Sequence, residues 1–228
     1  MPVTQIGRGT SIKVALLNSG DRIFPESTVF TVGVGGADAG DTSVSIAMSP
    51  AITRDIKGPI YLLFVDANGQ EELVEVTADI AVGATTLTCA ALKRAIAVGA
   101  TAVYPVSLSA RESASRTTDD QQQDVLTFDN DGYKDSITTI LGETLQCNGF
   151  YSPLDAGWNT VNYSRINFLE IYLEIEYPKP APHFVTGQIV KGFAGVNGMP
   201  IEIGSTTDII KSNLEFKFRG PTTVVPPA

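Results

Sequence analysis

The chain of 228 residues has one histidine, one tryptophan, two cysteines and no run of Lys or Arg. Each scarcity excludes something. With His183 as the sole imidazole, catalytic triads and His-rich metal sites have little to draw on. Set between Pro182 and Phe184, it reads as a residue at the start of a strand. Cys89 and Cys147 do not make the disulfide framework of a secreted domain, and they read as buried thiols, with pairing left open. A formal net charge of −9 without a basic cluster argues against a surface that grips phosphates. An acidic protein can still stand beside DNA if its task is to let DNA pass, because repulsion prevents adhesion. No apolar run approaches a membrane span, and MPVTQIGRGT lacks the apolar stretch of a signal peptide. The expected setting is a reducing cytoplasm with no membrane partner.

The one stretch that invites a metal or a catalytic reading is DNDGYKDS at 129–136. In an EF-hand loop centred on Gly132, Asp129 and Asp131 stand correctly, but the first and last ligand positions are Thr127 and Thr138. Asp129, Asp131 and Asp135 could pair as acid and base only in a cleft that separates their proton affinities, and this is a hydrophilic turn sequence. No serine lies in a Gly-x-Ser-x-Gly setting, and GVGGADAG (33–40) lacks the glycine spacing and following helix of a dinucleotide loop. Neither an enzyme nor a cofactor is expected.

What the chain does have is strand periodicity. In FLEIYLEIEY (168–177) Leu169, Ile171, Leu173, Ile175 and Tyr177 alternate with Glu170, Tyr172, Glu174 and Glu176, the pattern of a half-buried strand with an acidic outer face. NLEFKFR (213–219) repeats the pattern. Further strands are expected at 11–17, 28–34, 42–47, 60–65, 71–77, 85–90, 101–107, 124–128, 140–147 and 184–193, with one helix near 158–167. GDTSVSIA (40–47) matches GATTLTCA (83–90), and each copy runs on through an isoleucine and a glycine into an apolar strand. The copies are joined by DANGQ (66–70), whose Asn-Gly pair signals a hairpin. Two copies are too few for a solenoid, so residues 36–107 are expected to pack as one compact β-module. ARESASRTTDDQQQD (110–124) carries almost nothing to bury and reads as a surface loop that orders on assembly. GPTTVVPPA (220–228) reads as an exposed arm.

Three stretches carry a resemblance. DVLTFDNDGYKDSITTILGETLQCNGFY (124–151), WNTVNYSRINFLEIYLEIEYP (158–178) and IEIGSTTDIIKSNLEFKFRGPTT (201–223) together resemble, in order and spacing, the tail tube (major tail) proteins of tailed bacteriophages. The resemblance implies a mainly β fold: a sandwich or barrel of tail-tube type from residues 1–35 and 108–228 with one short helix. The module at 36–107 departs from the minimal family pattern as an insertion, and it is expected to point outward because six such modules would block a lumen. The resemblance also implies stacked, hexameric rings forming a hollow tube in the virion, with double-stranded DNA passing through the lumen and no specific binding. The implied partners are further copies of the chain and tape-measure, baseplate, terminator and sheath proteins. Glu170, Glu174 and Glu176 are then candidates for the lumen wall. Arg111, Glu112, Arg116, Asp119, Asp120, Asp129, Asp131, Lys134 and Asp135 are candidates for loops between subunits, and Arg219 and Pro221 for the C-terminal arm. Two alternatives stay open: a terminator, neck or baseplate ring protein, and a calcium- or carbohydrate-binding β-domain.

Overall fold

The computed structural model describes residues 4–6, 10–17, 22–109, 111–125, 135–181, 184–202 and 210–228. These form β1 (Thr4–Ile6), β2 (Ser11–Leu16), β3 (Thr28–Val32), β4 (Ser43–Ser49), β5 (Ile60–Val65), β6 (Glu71–Val76), β7 (Thr86–Thr88), β8 (Thr101–Tyr104), β9 (Val106–Ser107), β10 (Arg111–Val125), β11 (Asp135–Phe150), α1 (Ala156–Ile166), β12 (Ile171–Glu176), β13 (Ile189–Gly198), β14 (Ile201–Glu202), β15 (Lys211–Phe218) and β16 (Thr223–Val225). The fold is mainly β with one short helix, as expected.

Ten strands make an antiparallel sheet in the order β1-β10-β11-β15-β13-β12-β2-β9, with β14 on β15 and β16 on β13. β12 is central. Ile171, Leu173 and Ile175 stand opposite Leu16, Val14 and Ile12 of β2 and opposite Ala194, Gly192 and Val190 of β13. This face is the core of the unit, each fully buried aliphatic side chain contributing about 1.5–3 kcal/mol. α1 packs beside β2 and β13. It starts where Asp155 accepts a hydrogen bond from Trp158 N through Oδ1 at 3.2 Å, an N-cap. Its buried positions include Gly157, Thr160 and Ser164 as well as Trp158 and Val161, which is why its apolar period is weak in the sequence. Gly157 is required by close approach: a Cβ there would stand 2.5 Å from Ser107 O and 2.6 Å from Leu108 Cα.

Six strands make the second sheet, in the order β6-β5-β8-β3-β4-β7. A bridge between Val76 and Cys89 and the bonds Thr77 N to Thr88 O (3.0 Å) and Ala90 N to Glu75 O (2.9 Å) join the two ends of this order. The six strands therefore close on themselves. The repeat explains the closure. β3-β4-β5 and β6-β7-β8 are corresponding triplets, and each pairing has its counterpart. Phe30 pairs with Ala102 as Val74 pairs with Leu62; Val32 pairs with Ile46 as Val76 bridges Cys89; Ala37 bridges Ile96 as Ile80 bridges Ile56. The two copies are thus intertwined about a local two-fold axis through the pair Val44 and Leu87. The Asn-Gly turn at 68–69, with Gly69 at φ 75°, is the hairpin that links them.

Several expectations are corrected. Thr28–Val32, grouped above with the residues before 36, belongs to the second sheet. The segment expected over 101–107 breaks at Pro105, and its two halves enter different sheets. The strand expected at 184–193 begins only at Ile189. The polar segment 110–124 is not a loop: from Arg111 it forms β10, the longest ladder in the fold with β11. Backbone hydrogen bonds to β11 hold it, with the β-preferring Thr117 and Thr118 midway, and no apolar face is needed to declare the strand. The C-terminal residues lie on their own chain: β16 pairs with β13, and Val185 N donates to Ala228 O at 2.5 Å.

Candidate functional site

The face of β12 opposite the core is polar, and the register assembles it. Glu174 stands between Lys13 of β2 and Lys191 of β13. Lys13 Nζ donates to Glu174 Oε1 at 3.0 Å, Lys191 Nζ lies 3.2 Å from Oε2, and Tyr172 OH donates to Oε2 at 2.7 Å. Burial opposes ionisation of Glu174, but Tyr172 and the two ammonium groups outweigh it and hold the carboxyl below its usual range. The Tyr172 hydroxyl, buried beside that carboxylate, is pushed far up. Tyr172, Phe24 and Phe193 stack around it, with ring centroids 5.1 to 6.5 Å apart.

Glu170 is tied in the same way. Arg22 donates to it through Nε (3.3 Å) and Nη2 (3.1 Å), and Arg219 through Nη1 (3.3 Å). The acidic outer face expected from Glu170, Glu174 and Glu176 is therefore corrected. Two of the three carboxylates meet four cations, Glu174 is buried, and Glu176 is half-buried at the end of β12. Lys13, Lys191 and Arg22, which sequence reasoning missed, complete the group. Their signal was faint: Lys13 is the one charge in SIKVAL, and its partner lies 161 residues away.

The loop candidates divide. The Arg111 guanidinium donates to the backbone oxygens of Ser109 (3.0 Å), Phe150 (2.9 Å) and Ser212 (2.7 Å), so it clips three segments of its own chain. Burial lowers its proton affinity. Around it Asp155 and the Cys147 thiol are both raised by burial, the thiol to about 12. Arg116 binds both oxygens of Glu143 and Thr222 Oγ1. Both arginines are thus engaged within the protomer, because β10 is a strand with neighbours and not a loop. Glu112 is exposed. Asp119 and Asp120 lie in β10, and Asp135 opens β11. Asp129, Asp131, Lys134 and His183 lie outside the described residues. From Thr117 to Val125, β10 pairs only with β11 among the described residues, since β1 reaches no further than Arg116 and β15 meets β11 only from Thr144 onward. At roughly 3.3 Å per residue this two-stranded ribbon reaches on the order of 30 Å. Arg219 is held over β13 by its bond to Phe193 O and its pair with Glu170, while Pro221 is exposed.

A cleft of about 330 Å³ opens between the two sheets. Leu17, Ile23, Phe24, Pro25, Ile56 and Tyr104 form its apolar wall, and Glu26, Arg54 and Lys57 stand at its rim. The local two-fold places a second cleft at Phe64, Arg94 and Ile96, where only about 30 Å³ is open. A carboxylate supports each cleft: Thr53 N donates to Glu26 (2.6 Å), and its counterpart Lys93 N donates to Glu72 (2.9 Å), which stands at the place of Thr28. Among the described residues no three metal-ligating side chains converge.

No family model matches the chain, and no curated protein matches it. Among solved structures, it is similar to a chain in a structure titled "Virion of native gene transfer agent (GTA) particle", at 12% identity and a TM-score of 0.42, covering 52% of this chain and 87% of that one. It is also similar to a chain in "Tail of empty GTA particle computed with helical refinement, C6 symmetry", at 11% identity and a TM-score of 0.42, covering 72% of this chain and 95% of that one.

Proposed function

We propose that this chain is a structural subunit of the tail of a bacteriophage or phage-like particle, which assembles as stacked, hexameric rings into the tube that conducts DNA. One observation carries the reading: the two sheets are finished differently. The six-stranded sheet closes on itself, whereas the ten-stranded sheet ends at β1 and at β9, with no further strand beyond either among the described residues. Open edges in a large sheet are an aggregation hazard unless neighbours cover them, and ring formation by edge-to-edge pairing would cover both. The ribbon of β10 and β11 extends past the sheet with no third strand among the described residues, a geometry suited to reach the next ring. A two-stranded ribbon is marginal alone and gains most from such a contact.

On this reading the polar face of β12 turns to the lumen. DNA there would meet a layer of paired charges, which neither grips phosphates nor repels them strongly. The partners are copies of the chain first, and the proteins that set tail length and close its ends second. Negative-stain electron microscopy of the concentrated protein tests the proposal. Long hollow tubes with a channel wide enough for duplex DNA are expected; isolated rings that never stack would make it a terminator, neck or baseplate component; a protein that stays monomeric at all concentrations would overturn the reading.

A further inference from the structure

Phe168 is the outlier of the fold. α1 ends in a Schellman motif: Leu169 N donates to Ser164 O at 2.9 Å and Phe168 N to Arg165 O at 3.4 Å. That motif requires a left-handed residue at the position after the C-cap Asn167, where glycine is the usual occupant. Here Phe168 takes it at φ 55°, the only non-glycine with positive φ among the described residues. Its ring is not turned inward to compensate. It is 93% exposed, beside Ile166 at 58%. A strained backbone that displays a bare aromatic side chain benefits nothing inside the protomer, and such strain concentrates at contact sites.

A receptor of matching chemistry is present on the same molecule. The 330 Å³ cleft between the sheets has an apolar wall and no residue of α1 in its lining. It lies near the knob: Leu17, in its wall, donates through N to Glu170 O at 3.1 Å, two residues after Phe168. We infer that Phe168 of one copy seats in the cleft of a second copy, against Ile23, Phe24 and Ile56. The aromatic anchor and the pocket make the centre of the contact, and Arg54, Lys57 and Glu26 its polar rim. The occupant is a second copy because one chain carries both halves, and a contact between unlike patches repeats from copy to copy. The inference deepens the assembly reading and rests on self-association, not on tube formation.

Photo-cross-linking tests it. With benzoylphenylalanine in place of Phe168 in the full chain, irradiation at assembling concentration should give cross-linked dimers whose joined peptides contain residues 23–26 or 54–57. Cross-links that map elsewhere, to another protein, or not at all would overturn it. The variant Phe168→Gly separates contact from folding. Glycine relieves the left-handed strain, so its melting temperature should rise by about 2–4 °C, while self-association weakens at least tenfold by sedimentation velocity. Ile23→Arg should weaken it similarly. Unaltered association of either variant would overturn the contact. Tubes that form without a cross-link to the cleft would leave the tube reading standing and remove this one; cross-linked dimers that never form tubes would do the reverse.

Discussion

Val44 and Leu87 hold equivalent places in the two repeats and face each other at the centre of the β4–β7 ladder, both fully buried. The repeat thus packs on itself, and the pair samples one shared volume from both sides of a pseudo-symmetric axis. Leu87→Ala should cost about 2–5 kcal/mol through the cavity it leaves. The double exchange Val44→Leu with Leu87→Val keeps the total volume and should cost under about 1.5 kcal/mol, less than the sum of its single variants. Urea denaturation of the four proteins checks this.

The Glu174 group makes stability depend on pH. Its carboxyl is held below the ordinary value in the folded protein. The stabilisation it supplies is therefore complete above the unfolded value of about 4.3 and is lost as pH falls through the lower, folded value. Glu174→Gln should flatten that acid slope. At neutral pH it should cost about 2 kcal/mol, less than the roughly 3–5 of a fully buried pair, because Lys13 and Lys191 both reach water. Denaturant midpoints between pH 7 and pH 3 for the two proteins give the comparison.

Arg111 satisfies three carbonyl oxygens at the point where β10, the end of β11 and the start of β15 meet. Arg111→Ala leaves them unpaired in a half-buried place and should lower stability by about 2–4 kcal/mol. Arg111→Lys reaches fewer of them and should fall between. Thermal melts of both variants test the order.

Gly157→Ala sets two effects against each other. Alanine improves helix propensity by about 1 kcal/mol, but the added Cβ meets Ser107 O and Leu108 Cα at distances no carbon tolerates. The clash wins if the helix cannot shift, and a net loss of about 1–3 kcal/mol is expected. A more stable variant would show that α1 moves freely on the sheet.

On the proposed function, the ribbon separates folding from assembly. Replacing residues 120–141 by a two-residue Asn-Gly turn between the partners Asp119 and Gly142 removes ladder pairs that, among the described residues, are made only between β10 and β11. Monomer stability should change by no more than about 1 kcal/mol, while ring stacking seen by electron microscopy should be abolished. Tubes that form normally would remove the ribbon from the axial contact.

Alternating strands were the legible part. β12 and β15 follow from Leu173 and Phe216 with their alternate neighbours, and the Asn-Gly pair marks the turn between β5 and β6. Period alone could not say that Glu174 is covered. An acidic residue on the far face of a strand reads as solvated until the strands that flank it, distant in sequence, bring lysines in register. β10 was illegible for the opposite reason: both of its faces are polar, so the period-2 signal that marks a strand is absent. Phe168 gave no sign because a Schellman motif is normally betrayed by its glycine.

The closed ring of six strands has a consequence for how the chain can change over time. Because its hydrogen bonds are consumed internally and its two crossing points into the large sheet lie close together, at Thr28 and at Tyr104 next to Val106, the unit asks nothing of the edges that the rest of the chain leaves open. Its turns away from the 330 Å³ cleft, such as Asp66–Gln70, can be enlarged or redecorated while the ten-stranded sheet keeps its register.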